Sequence, residues 1–228
     1  MSWSGGKDSA LALYHARRDP ERRVTQLLTS VNGHYERVSM HGVRVALLEA
    51  QAQRLGLPLR QLRLPEQPTM PEYEQALLGA LGAAWALGAE EVVYGDIFLE
   101  DLRAYRERQL AQAGLRGCFP LWQRGNQELL REFWALGFRA VVVCVNERWL
   151  DASFCGRLLD AEFVRDLPPG VDPCGENGEY HSFVFDGPGF SEPIPVAIGE
   201  RVRRPYAAPG GGAEMGFWFC DLQLADVS

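Results

Sequence analysis

Ser4-Gly5-Gly6-Lys7-Asp8-Ser9 stands between Met1-Ser2-Trp3 and a helix-spaced run, Ala10, Leu11, Leu13 and Tyr14, and its reading decides the fold. Two adjacent glycines let the backbone turn through positive φ and bring several N–H groups onto one anion. The start of the following helix adds partial positive charge, the hydroxyls of Ser4 and Ser9 add donors, and Lys7 completes a polyphosphate site. The same residues also suit an ordinary strand-to-helix turn in which Asp8 or Ser9 caps the helix. A Walker A loop is excluded, because Met1 and Asp8 stand where that pattern needs glycine and Ser or Thr.

Outward from this loop, helix and strand signals alternate. The first helix runs over 8–18 and stops at Asp19-Pro20, and the apolar run 24–31 reads as a buried strand closed by Asn32-Gly33. A helix over 43–55 ends at Gly56, and Leu57-Pro58 opens the next strand. Pro71 starts a helix to about Leu87, and Glu91 to Tyr94 forms a strand before Gly95-Asp96. Only Met1, Ser2 and Trp3 precede the loop, where a central parallel strand usually has about five or six residues, so either this chain starts late or a neighbour tolerates a stub. This order predicts an α/β fold with a Rossmann-like parallel sheet and helices on both faces, whose ligands bind beyond the carboxyl ends of the strands. Both Ser4 to Lys7 and Gly95-Asp96 fall at such ends.

After a helix over 101–113 the pattern changes. A helix over 127–136 precedes the apolar strand 140–145, and prolines and glycines thicken from Leu167 onward. We place a domain boundary near Gly117, giving a nucleotide-binding domain 1–117 and a smaller α+β domain 118–228. Residues 205–212 read as a connection before a last strand, 216–224.

Composition narrows the function. Of 23 basic side chains only Lys7 is a lysine, and a lone lysine in a glycine turn fits chemistry that needs a compact ammonium charge. The net charge of −7 opposes the broad basic surface of a non-specific nucleic-acid binder. No apolar run is long enough to span a membrane, and no signal-peptide pattern opens the chain. Five widely spaced cysteines without Cys-x-x-Cys fit reduced core thiols, pointing to the cytoplasm.

Ser4 to Ser9 resembles the SGGxDS PP-loop of N-type ATP pyrophosphatases. Met40-His41-Gly42-Val43, Gly95-Asp96-Ile97, Phe119-Pro120-Leu121-Trp122 and above all Asp172 to Phe183 (DPCGENGEYHSF) resemble the diphthine–ammonia ligase family. That resemblance implies an ATP-dependent ligase: an acceptor carboxylate takes AMP from ATP, pyrophosphate leaves, and ammonia displaces AMP to give an amide. It implies that Ser4, Gly5, Gly6 and Ser9 bind the β and γ phosphates while Lys7 neutralises the growing charge. Asp8 either orients Mg²⁺ or caps the helix, with Mg²⁺ expected on the phosphates in both cases. His41, Gly95 and Asp96 are placed beside the nucleotide by this reading, and as a loop histidine and a strand-ending turn by the alternative.

Around the Asn177-Gly178 turn, Glu176, Glu179 and His181 offer two carboxylates and an imidazole. They suit ammonium binding, proton removal from ammonium, or a cationic acceptor gripped with Asn177, Gly178 and Tyr180, and equally a solvated hairpin. The family's named acceptor is the diphthine of elongation factor two. Nothing in these residues encodes it, so an unknown carboxylate is an equal candidate. Two rival functions are a nucleotide-binding module that senses ATP or AMP without turnover and, opposed by the net charge and cysteine pattern, a tRNA-thiolation enzyme.

Overall fold

In the computed structural model, residues 1–33, 35–38, 42–206 and 214–225 are described, and the chain forms two compact units. Unit 1 comprises Met1–Ser4, Asp8–Ser39 and Leu57–Arg124; unit 2 comprises Gly5–Lys7, Met40–Gly56 and Gly125–Ser228. The chain thus passes into unit 2 twice before it enters it for good.

In chain order the elements are α1 (Lys7–Arg18), β1 (Leu27–Asn32), β2 (Arg37–Val38), α2 (Val45–Leu55), β3 (Leu59–Leu64), α3 (Met70–Ala86) and β4 (Glu91–Val93). There follow α4 (Glu100–Gln112), β5 (Arg116–Cys118), α5 (Asn126–Ala135), β6 (Arg139–Asn146), α6 (Ala161–Arg165), β7 (Tyr180–Asp186), β8 (Val196–Tyr206) and β9 (Met215–Leu224).

Unit 1 is the parallel α/β half. β1 pairs in parallel with β3 from Leu27↔Leu59 to Asn32↔Leu64, and β4 pairs in parallel with β5. Met1 to Trp3 joins these two pieces: Leu28 N–H donates to Met1 O at 2.8 Å, Trp3 N–H to Leu28 O at 2.7 Å, and Ser2 N–H to Val93 O at 3.0 Å. Met1 to Trp3 is thus bonded on both edges, with the short antiparallel β2 beside the end of β1. Counted with this segment, the spatial order is β3, β1, Met1–Trp3, β4, β5, the dinucleotide-fold order whose strand direction of growth reverses between Met1–Trp3 and β4. Burial follows from composition: α1 sinks Ala10, Leu11, Ala12, Leu13 and Ala16, and Leu81 of α3 and Leu110 of α4 pack on Val92 and Tyr94. The α3 start has the chemistry its sequence announces, Thr69 and Glu72 in a reciprocal capping box with Pro71 in the first turn.

Unit 2 carries an antiparallel sheet in the order β7, β6, β9, β8. β6 is buried from Ala140 to Asn146, and α5 buries Leu129, Leu130 and Phe133, whose ring stacks on Phe138 at 5.0 Å. α2 ends as expected, with Gly56 left-handed at φ 65°. β8 corrects the sequence reading: Pro205 and Tyr206 end a long strand where a connection was expected, while 207–213 lie outside the described residues. Among the described residues the strand pairs with β9 alone and is exposed along nearly all its length, so no inward-outward alternation marks it in the sequence.

Candidate functional site

The shoulders of the glycine loop belong to unit 1. Ser4 Oγ and Ser9 Oγ lie 3.1 Å apart, Ser9 is buried, and Asp8 sits in the first turn of α1. Trp3 and Val93 end the two extended segments between which strand order reverses, so Ser4 and the Tyr94-Gly95-Asp96 turn emerge where open α/β sheets take their ligands. Gly95 has a structural reason of its own: a Cβ there would lie 2.7 Å from Asp8 C and 2.9 Å from Ser9 N, so only glycine lets the first turn of α1 close on the β4 turn. Asp96 is engaged by α4, its carboxylate meeting Arg106 Nε at 2.6 Å and Nη2 at 3.1 Å. Arg106 also stacks over Tyr94 at 4.3 Å, and burial pushes that phenol up to about 12.

The middle of the loop belongs to unit 2. Gly5 has φ 79° and its carbonyl accepts from Val184 N–H of β7 at 2.9 Å, while Lys7 N–H donates to Ser182 Oγ at 3.2 Å. Lys7 is 5 % exposed, with its ammonium 3.6 Å from Glu176 Oε1 and 6.0 Å from the centre of the Tyr180 ring. An ammonium group resting on a carboxylate beside an aromatic face is electrostatically favourable on both counts.

The Gly175 to His181 segment is a shaped loop followed by a strand. Gly175 is left-handed at φ 72°, and a Cβ there would strike the Tyr180 ring and carbonyl at 2.9 Å. Glu179 is buried and its carboxylate accepts from Asp172 N–H, Asn177 N–H and the Asn177 amide at 2.9–3.1 Å. Asp172 in turn accepts from Asn126 Nδ2 at 2.7 and 2.8 Å, from Cys174 N–H and from Glu176 N–H. Cys174 is packed, its thiol donating to Asn126 O at 3.2 Å. The side chain of Tyr180 is fixed by its hydroxyl's 2.5 Å bond to Pro173 O and an edge contact with Phe163. His181 lies on β7, where desolvation first and the charge of Lys7 second lower its pKa to about 4, so it is a neutral imidazole near pH 7.

The structure thus brings Lys7, Glu176, Tyr180 and His181 together in unit 2, on a frame made by Glu179, Asn177 and Gly178. Ser4, Asp8, Ser9, Gly95 and Asp96 belong to unit 1, and His41 lies outside the described residues.

Comparison with known proteins gives this geometry a family. The N-terminal domain of diphthamide synthase matches residues 1–117, and its C-terminal domain matches residues 125–207. The chain belongs to the diphthamide synthase family. It is 29 % identical over 225 residues to a mouse protein named diphthine–ammonia ligase, covering 87 % of this chain and 82 % of the mouse protein. A bovine protein of the same name is 28 % identical over 205 residues, 84 % of this chain and 75 % of the relative. A human one is 32 % identical over 118 residues, 50 % of this chain and 44 % of the relative. Membership of the diphthamide synthase family makes the chain a ligase-type enzyme.

Two residues of the site, Gln51 and Arg106, are absent from the sequence reading, and Asp172 enters it only as the first residue of the quoted motif, with no role assigned. Gln51 of α2 is fully buried on a face otherwise made of Val45, Leu47, Leu48, Ala52 and Leu55, and a polar residue on an apolar stripe is a readable signal. Asp172 before Pro173 has the residue type of a loop organiser. Arg106 carries no local mark.

Proposed function

We propose that this chain is an ATP-dependent, AMP- and pyrophosphate-forming ligase that converts an acceptor carboxylate to its amide with ammonia. The observation that carries the reading is the buried Lys7 ammonium, held on Glu176 at the head of a pinned glycine loop, in a chain of this family. An acceptor carboxylate oxygen attacks the α phosphorus of ATP and the bond to the bridging oxygen breaks, so pyrophosphate leaves and an acyl-adenylate forms. Ammonia then bonds to the acyl carbon, AMP departs with its electron pair, and the amide remains.

Each side chain has a task in that sequence. Ser4, Gly5, Gly6 and Ser9 supply donors to the β and γ phosphates, and Lys7 offsets the charge that accumulates on leaving pyrophosphate. Gly95 contributes by letting the first turn of α1 close, and Asp96 by anchoring the turn after β4 to Arg106. His41 is proposed beside the nucleotide on the family resemblance alone. Among the described residues no group of three or more His, Cys, Asp or Glu could hold a metal ion. Mg²⁺ that takes most of its ligands from phosphates and water needs only one or two carboxylates, and Asp8 suits that role. When bound there it would neutralise phosphate charge.

Glu176 already holds an ammonium, that of Lys7. Phosphate oxygens compete for Lys7, which frees the carboxylate for the ammonium substrate, and His181, held neutral by burial and by the Lys7 charge, gains basicity as the phosphates offset that charge. Asn177, Gly178 and Tyr180 would contact the acceptor, the diphthine of elongation factor two or another carboxylate. Domains 1–117 and 118–228 divide the work into nucleotide and acceptor binding. The five thiols and the absence, among the described residues, of a helix fit to cross a membrane agree with a cytoplasmic enzyme.

The test is incubation with ATP, Mg²⁺ and ammonium, with and without extract-derived acceptor, and identification of the products. AMP with pyrophosphate, rising with acceptor, is expected. ADP overturns the reading, and nucleotide binding with no turnover in the presence of diphthine-bearing elongation factor and extract favours a sensor.

A further inference from the structure

We infer that Gln51 is a positioning residue that fixes the phosphate loop to strand β7 and so sets where Lys7 stands. Its side chain is 0 % exposed and its amide nitrogen donates to two carbonyls at once, Gly5 O at 3.0 Å and Val184 O at 2.6 Å. Gly5 O also accepts from Val184 N–H at 2.9 Å. One amide therefore joins two segments that lie 46 and 133 residues away from it in sequence.

The fit around it is close. A Cβ on Gly5 would lie 2.7 Å from both Gln51 Oε1 and Leu48 Cδ2, so α2 is seated directly against the loop. The first glycine is thus required by α2 and by its own positive φ before any phosphate arrives. Two residues on, Lys7 N–H reaches Ser182 Oγ on the same strand. Gln51, Val184 and Ser182 form a three-point clamp on Gly5 to Lys7, and β7 is the strand that also bears Tyr180 and His181. Without the amide, two buried carbonyls that now converge on one donor would lose it, and the loop would move to find water. That displacement changes the place of Lys7, whose ammonium acts at a distance from Gln51.

The role rests on the proposed phosphate site, and the experiment separates the two. Binding of a non-hydrolysable ATP analogue is measured by calorimetry at pH 6 and pH 8, with hydrogen exchange of the Val184 amide measured without nucleotide. For Gln51→Leu we expect at least tenfold weaker binding and faster Val184 exchange, with melting still cooperative. For Gln51→Glu, the protonated acid keeps one donor and the carboxylate keeps none. Its binding should therefore be several-fold tighter at pH 6 than at pH 8 relative to the wild type. If Gln51→Leu does not fold, the pH response of Gln51→Glu decides alone. Wild-type binding in either variant, with unchanged Val184 exchange, overturns the inference. Failure of the wild type to bind the analogue overturns the phosphate reading instead, and Val184 exchange then decides whether Gln51 holds the loop.

Discussion

Gly95-Asp96 in unit 1 and Gly175-Glu176 in unit 2 are the same dipeptide type, a glycine turn followed by a carboxylate that meets a cation, yet they are built for different ends. Asp96 receives two nitrogens of the Arg106 guanidinium at 2.6 and 3.1 Å, and the guanidinium stacks on Tyr94. Only the Nη2 contact has hydrogen-bond geometry, the Nε approach being an ion pair without it, but the guanidinium is also held against the Tyr94 face, so the pair is oriented from two sides and hard to exchange. Glu176 meets a single lysine ammonium at 3.6 Å, a longer contact to a point charge on a flexible stem. The first pair suits scaffolding, and the second suits partners that separate when a phosphate or an ammonium ion arrives. Burial does not distinguish them, because both carboxylates are mostly shielded; the identity and geometry of the cation do.

The largest effect should come from the exchangeable pair. Lys7→Ala is expected to lower AMP formation by about 10²–10³-fold, the usual result of removing one preorganised charge-stabilising donor. Glu176→Gln should spare binding of the ATP analogue and cut ammonium-dependent AMP release by about tenfold or more. Equal loss of nucleotide binding and ammonium dependence in Glu176→Gln would place Glu176 with the phosphates, and the contrast with Asp96 would then fail. The measurement is AMP release at graded ammonium concentration, with binding of the ATP analogue measured alongside.

The scaffolding pair should respond in stability. Arg106→Ala leaves Asp96 without its paired cation and Tyr94 without the guanidinium on its face, and we expect about 2 kcal/mol lost in urea unfolding. Gly95→Ala inserts a methyl 2.7 Å from the backbone of Asp8. It should cost about 1–3 kcal/mol, as overpacking does, and weaken nucleotide binding by displacing the start of α1. If Arg106→Ala instead abolished turnover at full stability, Asp96 would belong to the chemistry and the two dipeptides would be alike.

Legibility in the sequence follows the range of the interactions. The capping box at Thr69 and Glu72, the left-handed Gly56 and the apolar run of β6 are local, and each is readable within a few residues. The parallel α/β order followed from alternation, and the glycine loop and the segment after Gly175 from residue type. Gln51 is marked as a polar residue on an apolar stripe, but the partners in the frame under the site are not readable, because they are set by distance: Gln51 reaches Gly5 and Val184, and Asn126 reaches Asp172 across 46 residues. Glu179 shows the limit of motif reading. Beside Glu176 in a motif it reads as a second carboxylate for ammonium or acceptor, and the motif gives no sign that this carboxylate accepts three hydrogen bonds from its own loop. β8 escaped for the opposite reason, since an exposed edge strand with arginines and a proline buries too little to leave a pattern.

The smallest effect is a pH response, and it reports on the exchangeable pair from a neighbouring strand. His181 has its pKa lowered from 6.5 to about 4 in the folded protein, by desolvation and then by Lys7. As pH falls through 6.5 the unfolded chain takes up a proton that the folded chain refuses, so stability declines until about pH 4, below which both states are protonated and the decline levels off. His181→Gln should therefore lose less stability than the wild type between pH 7 and pH 5, measured as the shift in urea midpoint. Identical shifts would assign the titration elsewhere. Lys7→Met sharpens the reading, because removing the ammonium removes the smaller of the two causes and should raise the His181 titration midpoint, followed by its ring proton resonances. A bound phosphate analogue should move the wild type in the same direction, since the anion offsets the same charge, and no movement would mean that the phosphates do not reach Lys7.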